Sequence, residues 1–296
     1  MTLRKTMRAF TVILALVLIS IQTFGWGFWA HKEITRNAIR ILPEPMQPFF
    51  NANSDYIAEH SVDPDMARRA DSLEQFNHYL DIDYYGHYPF DELPRNYEDA
   101  VRKFTADTLR EYGLLPWKIA EFTHMLSDAM RQGDKQAILK NATYLAHYVE
   151  DSFVPLHATL NYDGQMSNQK GIHRRFESDV PERYGRTYHY DVSEPVAEIQ
   201  DPLAFAFETI LQSYIYVDSV LEADRRTNSE LPSDKIKVEV EDKGKNVTRY
   251  SAEYYERLNE LLNDLPRRRM EAAIAATARY WYTAWLNAGE PTLMSE

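Results

Sequence analysis

Apolar residues recur at three- and four-residue steps over most of this chain, and that spacing admits helices and little else. Between Trp29 and Ile41, the positions Ile34, Ala38 and Ile41 fall on one face. Tyr97 to Tyr112, Pro116 to Arg131 and Asp134 to Glu150 repeat the pattern, with Gly113 and Gly133 as stops between them. Pro202 to Leu221 gives another long helix, with Ala204, Phe207, Ile210, Leu211 and Ile215 on one side. Ser251 to Asn287 is helical again, with a break expected at Pro266 and Gly289 just past the end. One stretch alternates instead. Ile236, Val238 and Val240 are separated by charged residues, Asp242-Lys243-Gly244 turns the chain and Val247 follows, which reads as a short exposed hairpin. No internal repeat or Pro/Gly/Ser-rich linker divides the chain after residue 26. The expectation is an all-α, single-domain multi-helix bundle over residues 26–296 with a small β-hairpin insertion.

The first 25 residues read differently. Arg4, Lys5 and Arg8 precede an apolar run from Thr11 to Ile21, and the small residues Thr23 and Gly25 stand just before Trp26. This is the layout of a signal peptide over residues 1–25, cleaved before Trp26, and the apolar run is short for a bilayer span. An uncleaved anchor is the alternative. The expected location is secreted or periplasmic.

Charge and cysteine content exclude several kinds of chemistry. The formal charge is −12, and the leader removes three basic and no acidic residues, so the mature chain is more acidic still. Such a chain does not coat nucleic acid by bulk electrostatics, and no stable nucleic-acid complex is expected. It can act on a phosphate ester where bound metal supplies local positive charge. With no cysteine there is no disulfide, no thiol nucleophile and no Cys-ligated zinc. A metal site must be built from His, Asp, Glu and backbone groups.

The histidines supply such a pattern. In HYVEDSFVPLH, His147 and Asp151 are four apart on an expected helix, so both leave the same face, and His157 follows beyond Val154-Pro155. In GIHRRFE, His173 and Glu177 repeat the spacing, with Gly171 upstream to start a new helix. An imidazole and a carboxylate on adjacent turns make a natural zinc grip. Either pair alone is more often a surface ion pair. Two pairs with a third histidine between them, in a cysteine-free exported chain, point to metal. Cleavage before Trp26 would add a free amine five residues from His31, and a terminal amine with its own carbonyl can chelate a cation. The alternative there is that Trp26, Phe28 and Trp29 are core aromatics.

WGFWAH at Trp26 to His31, VDPD at Val62 to Asp65, NHYLDID at Asn77 to Asp83, HYVEDSFVPLH and HRRFE together resemble the zinc-dependent phospholipase C superfamily. That superfamily includes the single-strand-specific zinc nucleases of the S-one and P-one type. The resemblance covers residues 26 to about 180 by motif. It implies a helical, exported enzyme that begins at a tryptophan and holds three zinc ions (Zn2+).

One zinc would take Asp65, His78, His147 and Asp151. A second would take the Trp26 amine and carbonyl, His31 and the other oxygen of Asp151. A third would take His157, His173 and Glu177. Asp63, two residues away, competes with Asp65; the Pro-Asp order and Arg68 favour Asp65. The implied chemistry is phosphodiester hydrolysis by a water bridged between two zincs, with the third zinc stabilising the leaving group. Asp151 would bridge the pair, and Asp65 would also help orient or deprotonate the water.

Glu177 and the Pro-Asp motif lean toward a phospholipase C acting on phospholipid with transient membrane-surface contact. The alternatives are a nuclease releasing 5′-nucleotides from single-stranded nucleic acid, or a non-catalytic zinc-binding protein. Tyr79 and Asp81 are candidate substrate-binding residues, able to stack on and hydrogen-bond a base. The cluster Tyr84, Tyr85, His87, Tyr88 and Phe90 reads as a packed loop, with cleft or lipid contact as the alternative. Arg267-Arg268-Arg269 reads as a solvated helix turn, and Trp281 and Trp285 as core. Asn141-Ala-Thr and Asn246-Val-Thr are glycosylation sequons, the first inside an expected helix. The sequence leaves the oligomeric state open.

Overall fold

The helical spacing becomes a stack of α-helices in a computed structural model that describes residues 26–242 and 244–294. The expected signal peptide lies outside the described residues. The helices are α1 (Phe28–Arg40), α2 (Gln47–Ala52), α3 (Ser54–His60), α4 (Asp63–Ala67), α5 (Tyr97–Phe104), α6 (Ala106–Glu111) and α7 (Leu115–Gln132). They continue with α8 (Lys135–Ser152), α9 (Ile172–Arg174), α10 (Val180–Tyr184), α11 (Pro202–Ile215), α12 (Val217–Glu230), α13 (Ala252–Leu262) and α14 (Leu265–Asn287). The hairpin pairs β1 (Lys237–Asp242) with β2 (Lys245–Tyr250), antiparallel, with Val240 opposite Val247. The expected all-α fold with a small hairpin is the fold observed. No described helix is long and apolar enough to cross a membrane.

α7 and α8 pack along their length, and α14 lies against both and against α1. Gly133 takes a left-handed conformation between α7 and α8, and Asp134 caps α8 by accepting from the amides of Gln136 and Ala137. The faces turned inward carry Ile119, Leu126, Leu145, Val149, Ile274 and Trp281, all buried. Trp281 Nε1 donates to Ala142 O at 3.1 Å, so the tryptophan expected in the core also fixes α14 to α8. On the other side of α8, the Asn141 amide donates to Met125 O at 3.0 Å and is buried against α7. Asn246, in the second sequon, is exposed on β2.

Three expected helix boundaries change. The Tyr97–Tyr112 run is two helices, because Thr105 has φ 69° and its hydroxyl accepts from Thr108 N to start α6. The Pro202–Leu221 run breaks at Tyr216, and α12 continues to Glu230. Pro266 sits in the first turn of α14, where its missing N–H costs nothing, and the reversal is made just before it by Asn263 and Asp264 at positive φ.

The arginine run corrects a further expectation. Arg269 is buried: its Nε donates to Phe153 O at 2.9 Å and its Nη2 to Ser213 Oγ at 2.6 Å. Its guanidinium also lies 4.8 Å from the Phe153 ring and 5.4 Å from the Tyr216 ring. A tertiary partner therefore occupies the α11–α12 break, and no local sequence rule reports it. Replacing Arg269 with Ala removes two charge-assisted bonds to buried acceptors and should cost about 3 kcal/mol. Urea unfolding measures this, and a loss below about 1 kcal/mol would show that the two acceptors find other partners.

Candidate metal centre

α8 packs against α7 and α14, and its remaining face points to a buried polar cluster. His147 and Asp151 leave that face one turn apart, both without exposed surface. α1 contributes His31, α4 contributes Asp65, and His78 follows the 3-10 turn Glu74–Asn77. The expected loop at His157 is a 3-10 turn, Pro155–Ala158. His173 lies on α9 and Glu177 on a π-helical turn, Arg175–Asp179.

Eight of the nine sequence-derived ligand candidates come together through their side chains as follows. Asp151 Oδ2 lies 2.9 Å from His78 Nδ1 and 3.2 Å from His147 Nε2, and those two nitrogens are 3.0 Å apart. Asp65 Oδ1 is 3.7 Å from His78 Nδ1 and 3.8 Å from His147 Nε2. The other oxygen of Asp151 is 3.5 Å from His31 Nε2. Glu177 Oε2 lies 2.8 Å from His173 Nε2 and 3.4 Å from His157 Nε2. Trp26 is fully buried; its Nε1 donates to Glu150 O at 2.9 Å, and Gly27 N donates to Glu177 O at 3.1 Å. A Cβ on Gly27 would stand 2.7 Å from Ser178 Oγ, so glycine allows residue 26 to lie beside this segment.

Six inner atoms of this cluster lack hydrogen-bond partners. His31 Nε2, Asp151 Oδ1, Asp65 Oδ2, His157 Nε2, His173 Nε2 and Glu177 Oε2 are buried and unbonded. Buried polar atoms cost free energy unless something satisfies them, and convergent imidazoles and carboxylates suit zinc. Two outer nitrogens, by contrast, are held: His147 Nδ1 by Ser61 O at 2.8 Å and His157 Nδ1 by His78 O at 2.5 Å. An outer N–H fixed by an acceptor leaves the inner nitrogen bare for a metal.

Electrostatics follow from burial. Burial pushes the Glu177 and Glu150 carboxyls well above the usual range and pulls His31 and His173 well below theirs. Burial alone would raise Asp151, yet His147 and His157 hold it well below the ordinary carboxylate value. For His147 the balance also goes against burial, because Asp151 and Asp65 raise it.

The Asp63–Asp65 alternative separates by position. Asp63 faces outward and pairs with His60 at 2.8 Å, whereas Asp65 is fully buried beside His78 and His147, with Arg68 bonded to it. Sequence reasoning missed Glu150. Its Oε2 lies 2.5 Å from His31 Nδ1, and its Oε1 accepts from Thr35 Oγ1 at 2.8 Å. His31 and Glu150 stand 119 residues apart, so no local spacing could have joined them.

A cleft of about 310 Å³ opens onto the cluster, lined by Arg68, His78, Tyr79, Asp81, Glu111, Tyr112, His157, Tyr162 and His173. Tyr79 is braced from behind. Its hydroxyl donates to Glu111 O at 3.0 Å, and Gly113, at φ 98°, passes so close that a Cβ would lie 2.1 Å from Tyr79 O. Asp81 Oδ1 is buried without a partner, and burial together with Asp83 raises its carboxyl to about 8. Of the aromatic cluster, Tyr85 and Phe90 pack into the core and Tyr84 stacks on Tyr112, while Tyr88 is exposed.

A family model described as zinc-dependent phospholipase C matches residues 30–258. Among solved structures, the chain is similar to the alpha-toxin of Clostridium perfringens from avian strain SWCP, with a TM-score of 0.53 and 13% identity. A second likeness is to the alpha toxin of Clostridium absonum, with a TM-score of 0.49 and 14% identity. In both cases 89% of this chain covers 65% of the other, so the chain spans just under two thirds of the toxins' length. At these identities the likeness is one of fold. No curated protein matches the sequence.

Zinc content after dialysis separates the candidate residues. Asp65→Asn should lose zinc while Asp63→Asn keeps the full complement; equal losses would contradict Asp65 as a ligand. Glu150→Ala should weaken zinc binding roughly 10–100-fold by freeing the His31 ring, and a chelator competition reads that directly.

Proposed function

The chain belongs to the zinc-dependent phospholipase C family, and from that premise we propose that it is an exported phosphodiesterase acting on phospholipid. The observation that carries the reading is the set of buried, unpartnered imidazole and carboxylate atoms at the base of an open cleft. An open cleft also disfavours a closed, non-catalytic zinc store.

Asp65, His78, His147 and Asp151 would hold one zinc. Their separations, from 2.9 to 3.8 Å, bracket the roughly 3.3–3.6 Å expected between tetrahedral zinc ligands. The Trp26 amine and carbonyl, His31 and the second Asp151 oxygen would hold another, and His157, His173 and Glu177 a third. This requires removal of residues 1–25 as a signal peptide, and with it a secreted or periplasmic location. The chemistry that zinc supplies when bound is a water of lowered pKa and positive charge for phosphate oxygens.

The chain's own groups do the rest. Asp151 joins two of the ligand sets through its two oxygens. Asp65, held by Arg68, would help orient or deprotonate the attacking water. Arg68 lines the cleft and offers a guanidinium to a non-bridging phosphate oxygen. Asp81, protonated at neutral pH, donates a hydrogen bond to the substrate, and Tyr79 gives it an aromatic wall.

Turnover of a short-chain phosphatidylcholine and of single-stranded DNA should be compared on protein with an authentic Trp26 start and zinc. Diacylglycerol release is the expected result; 5′-nucleotides alone would move the substrate to nucleic acid and keep the metal centre. One extra residue before Trp26 should lower bound zinc by one equivalent per chain, and an unchanged count would remove Trp26 from the ligand set. Above pH 8 the ionised Asp81 would repel an anionic phosphodiester, so kcat/KM should fall there in the wild type. That step should vanish in Asp81→Asn.

A further inference from the structure

His173 and Glu177 are four residues apart, but the segment between them is not a regular helix. A three-residue helix, α9, passes directly into the five-residue π turn Arg175–Asp179, and neither has a side-chain cap. So short a helix does not hold itself. A π turn is wider than an α turn, so it aims its side chains differently, and such turns recur at functional sites. Something else must set its pitch.

Arg175, midway between the two ligands, is the residue placed to do so. Its side chain is buried away from the cleft, with Nη2 donating to Asp224 Oδ1 at 3.0 Å and to Gln169 O at 3.1 Å. Nη1 donates to Lys170 O at 3.1 Å. The guanidinium lies 4.5 Å from the ring of Tyr250, at the end of the hairpin, and 5.8 Å from that of Tyr254. Asp224, on α12, has no exposed surface and also accepts from Tyr254 Oη and from Gln169 Nε2 at 2.8 Å. One planar fork therefore ties the turn to the approach loop, to α12, to α13 and to the base of the hairpin. Burying two charges is costly, and apolar residues of similar volume often serve stability as well or better. What the ion pair adds is direction.

We propose that Arg175, locked to Asp224, is a positioning residue that fixes the pitch of the π turn and so holds His173 and Glu177 in register for the third ion. This rests on the assignment of His157, His173 and Glu177 to a zinc.

The test compares the mature wild type with His173→Ala, Arg175→Lys and the charge-neutral pair Arg175→Met with Asp224→Asn. Zinc content, chelator competition for the weakest-bound equivalent, the visible spectrum of the cobalt-loaded protein and far-UV circular dichroism are read on each. The paired variant is expected to keep its helical spectrum, to bind the equivalent that His173→Ala loses roughly 10–100-fold more weakly, and to shift the cobalt bands. Arg175→Lys, which keeps the charge but not the fork, should show the same loss to a smaller degree. If the paired variant does not fold, the lysine variant decides. Wild-type zinc affinity and an unchanged cobalt spectrum in a folded variant would reduce the ion pair to a structural brace and overturn the proposal. If His173→Ala binds as much zinc as the wild type, the third-ion assignment falls first and takes this inference with it.

Discussion

Asp151 is a carboxylate with no exposed surface and imidazole nitrogens on every side. His78, His147, His31 and His157 approach it at 2.9, 3.2, 3.5 and 3.9 Å. Such a group is costly to bury unless positive charge compensates it, and neutral imidazoles do that only by sharing protons or a metal. The surrounding packing exists to hold this arrangement still. α8 carries Asp151, α7 and α14 clamp α8, and Arg269 ties the C-terminal end of α8 to α11 through Phe153 O and Ser213 Oγ.

The ligand candidates arrive from several segments, and three of the histidines are held at their outer nitrogens. Ser61 O and His78 O bond the outer nitrogens of His147 and His157, and Glu150 bonds that of His31. Ring orientation is thus set by the protein, and the inner nitrogens are left to one another. An overall acidic chain concentrates this chemistry in a cleft whose wall also carries Arg68.

Much of this was legible in residue order because helix geometry is local. Four-residue spacing put His147 with Asp151 and His173 with Glu177, and glycine and hydrophobic periodicity gave the ends of α1, α7 and α8, while the short helices α2, α3, α4, α9 and α10 were too brief to show a period. DPD did not say which aspartate turns inward, since both are helical in α4 and only tertiary burial separates them. Glu150, Arg269 and Arg175 were not recognised, because each acts on a partner far away in sequence. The breaks at Thr105 and Tyr216 were missed for a related reason. Neither residue is a helix breaker by type, and at Tyr216 the guanidinium of Arg269 packs against the break.

The Asn141 amide is bound to Met125 O between the two longest-packed helices. An oligosaccharide cannot be joined to that nitrogen once α7 and α8 have met. A host that decorates sequons on the emerging chain would reach it first, and a sugar there would wedge the helix pair apart before α8 could bring His147 and Asp151 inward. The choice of expression host is thereby part of the folding problem: a cell without that machinery leaves the site bare, and one with it calls for removal of the sequon threonine, Thr143, or of the acceptor Asn141 itself.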